Sequence, residues 1–249
     1  MRRPVESRLL GERSDDRGVS EVIGFILVFA IIISSVTLLS MTGFQAMRDY
    51  QEGEQLRNAE RAIEAFAENA NDVMRYDSID TRQGELSLQE GTVTTSSTGT
   101  NLTINIDGKK RPVGELGTFT YTVDNDRIVY EGGGVIRGDD SGSVFLSQPQ
   151  LQCNDETAVI SLVRIDDGRS IQSSGQVGFT ISEKKWNSTL YSGKDNVAIE
   201  VNSDSPTSDA WNSTLESWDG EPTDNNKKCE LGSGSGQVVV TIVDVEIQH

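Results

Sequence analysis

Histidine is all but missing from this sequence: its one copy, His249, is the last of the 249 residues. A Ser-His-Asp or Cys-His relay needs an imidazole held on a stable scaffold, and a multi-histidine metal site needs several, so both are excluded. No glycine-rich phosphate loop of the Walker type occurs either. Gly132-Gly133-Gly134 lies between strand-like runs and reads as a turn or bulge. Lysine is scarce, at seven residues, and 39 Asp plus Glu stand against 22 Lys plus Arg for a net charge of −17. Phosphate neutralisation needs clustered Lys and Arg, so nucleic acid is excluded as a partner. The acid pairs Asp139-Asp140 and Asp166-Asp167 are the remaining places for Ca²⁺ or glycosidase chemistry. Each is followed within two residues by Gly, which favours solvated turns. No catalytic, cofactor-binding or metal-ligating set emerges, and the chain is not expected to be an enzyme.

Charge is also missing locally, and this absence is the most informative. From Val22 to Met47 no residue is charged, and the stretch reads VIGFILVFAIIISSVTLLSM through Met41. Those twenty residues span about 30 Å as a helix, the thickness of a bilayer's hydrocarbon core. Ser34, Ser35, Thr37 and Ser40 are tolerated there because a hydroxyl can bond a carbonyl one turn earlier. A buried core helix seldom runs this long without a polar face. A cleaved secretory signal has a shorter apolar region, of about 7 to 15 residues, followed by a small-x-small site. The segment therefore reads as a single membrane span from Val22 to Met41, with the lipid bilayer as partner. Arg2, Arg3, Arg8, Arg13 and Arg17 precede it, and fewer basic residues follow closely, which puts the N-terminus in the cytoplasm and the rest outside. The leader is neutral, with five basic and five acidic residues, while residues 48–249 carry 17 basic and 34 acidic ones.

A polar leader ending Asp16-Arg17-Gly18, followed by Val19-Ser20-Glu21-Val22-Ile23-Gly24 and the long apolar run, resembles the N-terminus of archaeal type IV pilin-like and archaellin-like proteins, particularly haloarchaeal ones. The resemblance is specific over residues 17–44. It implies a prepilin peptidase as partner, a cut between Gly18 and Val19, and other pilin subunits as neighbours. One departure is that the acid stands at the third mature position, Glu21, with Ile23 at the fifth, which puts a bacterial-style pairing of that acid with a neighbour's N-terminus in doubt. Asn58 to Arg61 (NAER), Ile128 to Gly133 (IVYEGG) and Ala210-Trp211 are more loosely similar to features of haloarchaeal surface proteins with such N-termini.

Beyond the span, Leu56, Ala59, Ile63, Phe66, Ala70 and Val73 are spaced 3, 4, 3, 4 and 3, a stripe that gives a helix one apolar face. Residues 48–77 are read as a helical stalk, with Gly43 and Gly53 as bend candidates and Glu60, Glu64 and Glu68 forming an acidic row. Two readings stand open: the stripe packs on neighbours in a filament, or on its own outer domain. Residues 78–249 change texture to short alternating runs, including NLTINID, GTFTYTV, RIVYEG and TAVISLVRI, ending in the β-branched QVVVTIVDVEI. The expected class is α+β: a long N-terminal helix, then an antiparallel β-sandwich-like domain. One short helix is expected over 206–218, with Ser205 as N-cap and Pro206 at its first position.

Cys153 and Cys229 fall in the exterior portion, where a disulfide can persist; two buried free thiols are the alternative. Three sequons, at Asn101, Asn187 and Asn212, are candidate N-glycosylation sites. Two of them sit in a repeated pentapeptide, Trp-Asn-Ser-Thr-Leu, at 186–190 and 211–215. The functional expectation is a pilin-like surface protein with a structural or adhesive role. A non-polymerising anchored binding protein is the alternative, and an anchored hydrolase is weakest because catalytic residues are missing.

Overall fold

A computed structural model of the chain describes residues 15–76, 78–88, 91–166, 169–172, 175–202, 205–218, 228–232 and 234–248. His249, Asp167, most of the leader and the loop around Gly220, Pro222 and Asn225 lie outside the described residues. The first element is the helix α1, Asp15–Arg75. The chain divides into two units, residues 1–53 and 54–249.

In the first unit α1 carries no charge from Val22 to Met47, and every side chain from Ser20 to Met47 is exposed, Phe25 to 71% and Leu39 to 72%. The hydroxyls turn back on the helix: Ser35 Oγ donates to the Ile31 carbonyl at 2.7 Å and Thr37 Oγ1 to that of Ile33 at 2.8 Å. This satisfies those hydroxyls within the helix, as an apolar medium requires. By length and composition this is a helix able to cross a membrane. It begins at Asp15, so the expected boundary between leader and helix at Gly18-Val19 falls inside α1. Gly43 and Gly53 likewise lie within it.

In the second unit the last part of α1 is a core element. Leu56, Ala59, Ile63, Phe66, Ala70 and Val73 are all buried. Phe66 stacks on Phe119 with ring centroids 4.0 Å apart and meets Tyr130 and Phe179 edge-on at 5.3 and 4.9 Å. The stripe thus packs on the chain's own domain, the second of the two readings of residues 56–73. The helix ends at Arg75, two residues before the expected end of the stalk.

The strands are β1 Thr81–Leu88, β2 Thr92–Ser96, β3 Asn101–Ile106, β4 Lys109–Glu115, β5 Thr118–Val123, β6 Asp126–Glu131, β7 Gly134–Asp139, β8 Gly142–Ser147, β9 Gln150–Cys153, β10 Thr157–Ile165, β11 Arg169–Gln172, β12 Gly175–Lys194 and β13 Asn196–Val201. After the helix α2, Ser208–Ser217, come β14 Lys228–Glu230 and β15 Gly236–Gln248. They form sheets of five (β1-β12-β15-β10-β9), six (β11-β2-β5-β6-β7-β8) and four strands (β14-β13-β3-β4). The class is α+β, and among the described residues the ladders are antiparallel apart from β10 and β15, which run parallel, Thr157 opposite Gln237 through Ile165 opposite Val245. The expected α+β class with antiparallel sheets holds, and the three-sheet division with one parallel pair refines the sandwich-like expectation. A parallel pair needs a long crossover, supplied here by everything from β11 to β14.

The reason lies in burial. Val243, Val245 and Ile247 of β15 join the α1 stripe in one core, whereas Val238 and Val240 join a second core formed with the four-stranded sheet and α2. β15 thus buries alternate side chains on one face in its first half and on the opposite face in its second, and apolar residues run together where the buried face changes. The four-stranded and five-stranded sheets share that second core. Their edge strands β14 and β9 are joined by the Cys153–Cys229 disulfide, which closes a loop of sequence separation 76. Restricting the unfolded chain over such a loop stabilises the fold by about 4 kcal/mol in the chain-entropy treatment. On the other side, the Arg111 guanidinium of β4 lies 4.4 Å over the Tyr191 ring of β12.

Candidate functional site

The three loosely spaced motifs NAER, IVYEGG and Ala-Trp meet around one hairpin. The β6–β7 turn is closed by Gly132 and Gly133, at φ of 63° and 99°. Two successive positive φ angles match the primed turns that suit the twist of a tight hairpin. A Cβ at Gly132 would come within 2.7 Å of the Trp211 ring, so the turn must be glycine for packing as well. The α1 side latches the same turn. Asn71 Nδ2 donates to the Gly133 carbonyl at 2.9 Å, and Tyr130 Oη donates to Asn71 Oδ1 at 3.1 Å. Nearby, Arg137 of β7 donates to Glu60 at 3.2 Å, which ties the NAER segment to the hairpin strand. Burial pushes the Tyr130 phenol well above its ordinary value.

Glu131, the last residue of β6, is buried to 0% exposure. Its carboxylate accepts the Trp211 indole N–H at 2.9 Å, the Thr100 hydroxyl at 3.1 Å and the Thr100 backbone N–H. Around it run hydroxyl contacts: Thr100 to Ser205 at 2.8 Å and to Thr207 at 2.9 Å, and Ser205 to Ser208 at 3.1 Å. Burial raises the Glu131 pKa above its ordinary value even though the Thr100, Thr207 and Trp211 donors oppose the shift. This node explains a correction at α2. Ser205 is drawn into the hydroxyl cluster instead of capping, so Thr207 stands at the N-cap, Pro206 lies in the preceding turn, and the helix runs 208–217 rather than 206–218. The arrangement is a fully engaged polar clamp between hairpin, helix and strand. Among the described residues its polar groups bond to one another, which gives the node a positional role.

The remaining sequence candidates are dispersed. Gly18 and Val19 lie in α1, far in sequence from every residue of the node. Asp139 closes the β7–β8 turn, its Oδ1 accepting from the Ser141 N–H and hydroxyl and the Gly142 N–H; the Ser141 contacts hold its carboxyl below the usual range. That is the solvated turn expected of the first acid pair. Asn101 opens β3, Asn187 lies on β12 and Asn212 on α2. Among the described residues no group of three His, Cys, Asp or Glu side chains is placed to hold a metal ion. An open cleft of about 420 Å³ lies beside the disulfide, lined by Gln148, Leu151, Gln152, Asn154, Thr214 and Trp218. Its lining is uncharged in a chain of net charge −17, but Asn154 Oδ1 is engaged by the Glu156 and Thr157 N–H groups. Sequence reasoning missed Glu131, because a single Glu inside a strand-like run carries no signal until the fold brings residues 100, 207 and 211 to it.

Fold and site together define an α+β protein with an exposed apolar N-terminal helix and a β domain organised around a buried structural clamp. Residues 17–248 match the family of unknown function DUF7289, and the chain belongs to that family. No curated protein and no solved structure matches it.

Proposed function

We propose that this chain is a pilin-like, single-span surface protein, a structural or adhesive subunit of an archaeal type IV pilus-like assembly, with its N-terminus cytoplasmic and its β domain outside. The observation that supports this is α1. From Val22 to Met41 its side chains are exposed on every face, and the Ser35 and Thr37 hydroxyls are bonded inward. Such a surface needs apolar surroundings, which a lipid bilayer or a bundle of like helices supplies. A prepilin peptidase would cut between Gly18 and Val19. One observation favours the second reading, a membrane-anchored domain that never polymerises. The stripe from Leu56 to Val73 is consumed by the domain's own core, so assembly would rest on the apolar segment alone.

Mass spectrometry of the mature N-terminus checks processing: a chain beginning at Val19 is expected, and an intact Met1 or a cut beyond Met41 overturns the pilin-like reading. Sheared surface fractions viewed by electron microscopy separate the two states, since the filament reading requires this chain in filaments and the anchored one requires it in membranes only. An impermeant amine reagent on intact cells checks orientation through the exposed Lys109 and Lys185.

A further inference from the structure

We propose that Asn187 is an N-glycan acceptor and that Asn212, inside the same pentapeptide, is not. The inference rests on the exterior placement of the β domain. Transfer to asparagine needs the amide and the hydroxyl two residues on to be engaged together by an enzyme that reaches the main chain from one side. Identical Trp-Asn-Ser-Thr-Leu sequences stand in a strand at 186–190 and in a helix at 211–215, so the fold alone distinguishes them.

In β12, side chains alternate, and Asn187 and Thr189 share one face. Thr189 Oγ1 donates to Asn187 Oδ1 at 3.3 Å, and Asn187 is exposed. Among the described residues, the strand from Lys185 to Lys194 also carries no ladder along one edge. β1 pairs it only from Gly175 to Ser182, the Glu183 N–H donates to the Asp80 carbonyl, and the described partner of β12 from Lys185 to Lys194 is β15 alone. In α2, two residues turn through about 200°, so Thr214 points away from Asn212. The flanking Trp211 and Leu215 are both 0% exposed, and extending this segment would pull them from the core. Asn101 begins an interior strand paired on both sides, and its partner hydroxyl, Thr103 Oγ1, accepts from Asn202 Nδ2 at 2.9 Å.

The donor is a glycan linked to a polyprenyl phosphate. The Asn187 amide nitrogen loses a proton and forms a C–N bond to the anomeric carbon. The C–O bond from that carbon to the lipid phosphate breaks, and the phosphate oxygen keeps the electron pair. Neither oxidant nor reductant is involved. A glycan there also screens that strand edge, which otherwise invites pairing with another chain.

The test uses the full chain isolated from membranes of the cells that make it. Trypsin releases Asn187 on residues 186–194, Asn212 on 195–227 and Asn101 on 83–109. A glycan mass is expected on the first peptide and absent from the second. Asn187→Gln and Thr189→Ala are each expected to abolish the electrophoretic shift of the glycan, and Asn212→Gln to leave it unchanged. A bare 186–194 peptide, or glycan on Asn212, overturns the proposal. The amine labelling on intact cells separates the causes. A labelled domain with a bare Asn187 sinks this inference alone, and an unlabelled domain with three bare sequons sinks the exterior placement with it.

Discussion

Glu131 titrates with a sign opposite to the surface carboxylates. Asp139 and Glu200 are held below their ordinary values, by Ser141 and by the Lys110 ammonium respectively, so their contributions are present above the unfolded pKa values and fade as pH falls. Glu131 is raised, so its folded form binds the proton more tightly. Its contribution is full below the unfolded value of 4.5 and is lost as pH rises through the folded pKa. Glu131→Gln also places an amide donor against the Trp211 and Thr100 donors, at a cost of about 1–3 kcal/mol. Chemical denaturation of wild type and variant across pH is therefore expected to show a larger loss near pH 4.5 than near pH 8. A loss that is constant, or that grows with pH, would mean the carboxylate is not raised. At the turn beside it, Gly132→Ala meets both a left-handed φ and the Trp211 ring at 2.7 Å, and is expected to cost on the order of 2 kcal/mol or more by the same measurement. A cost within about 0.5 kcal/mol, ordinary for a surface site, would rule out that packing. The turn was legible in the sequence because three glycines between strand-like runs have few other uses. The carboxylate was not, since its donors come from positions 100, 207 and 211.

Among elements, α1 was the most legible, because the two periodicities it carries are both helical: an uninterrupted apolar run and then a 3-4 stripe. What a stripe packs against is not a local property, and only the three-dimensional arrangement of Phe66 with Phe119, Tyr130 and Phe179 answers it. β12 was half legible. QVGFTIS reads as a strand, but EKKWNSTLYSGK continues it as a polar edge, where pairing with β15 overrides a weak pattern. The pentapeptide states the limit most plainly: Trp186 is 37% exposed on a strand, while Trp211 is 0% exposed on a helix. One element-level prediction follows from the stripe. A chain beginning at Glu54 keeps the core and is expected to unfold cooperatively, whereas one beginning at Ser78 loses Ile63, Phe66, Ala70 and Val73 together. Removing one buried Phe alone costs about 3–5 kcal/mol, comparable with much of a domain's total stability. Circular dichroism melts compare the two, and a cooperative transition in the shorter chain would show that α1 merely decorates the domain.

For the whole molecule, the charge is better understood by place than by total. Residues 1–21 balance and residues 22–47 carry none, so the excess of 34 acidic over 17 basic residues belongs to residues 48–249. Ion pairs such as Lys110–Glu200 at 2.7 Å and Arg82–Asp72 at 2.9 Å link parts of the domain, but both keep partial solvent access. Each contributes at most about 1 kcal/mol and is itself weakened by salt. Repulsion among the surplus carboxylates acts over the whole surface and scales with the excess, so screening relieves more than it removes. The Debye length shortens from about 30 Å at 0.01 M to about 3 Å at 1 M salt. The melting temperature of a chain beginning at Glu54 is therefore expected to rise by several degrees from millimolar to molar KCl at neutral pH. The gain should shrink at pH 4, where part of the surplus is protonated, and grow with added surface acids. An unchanged or falling melting temperature would mean that the ion pairs, rather than the excess charge, govern the domain's electrostatic stability.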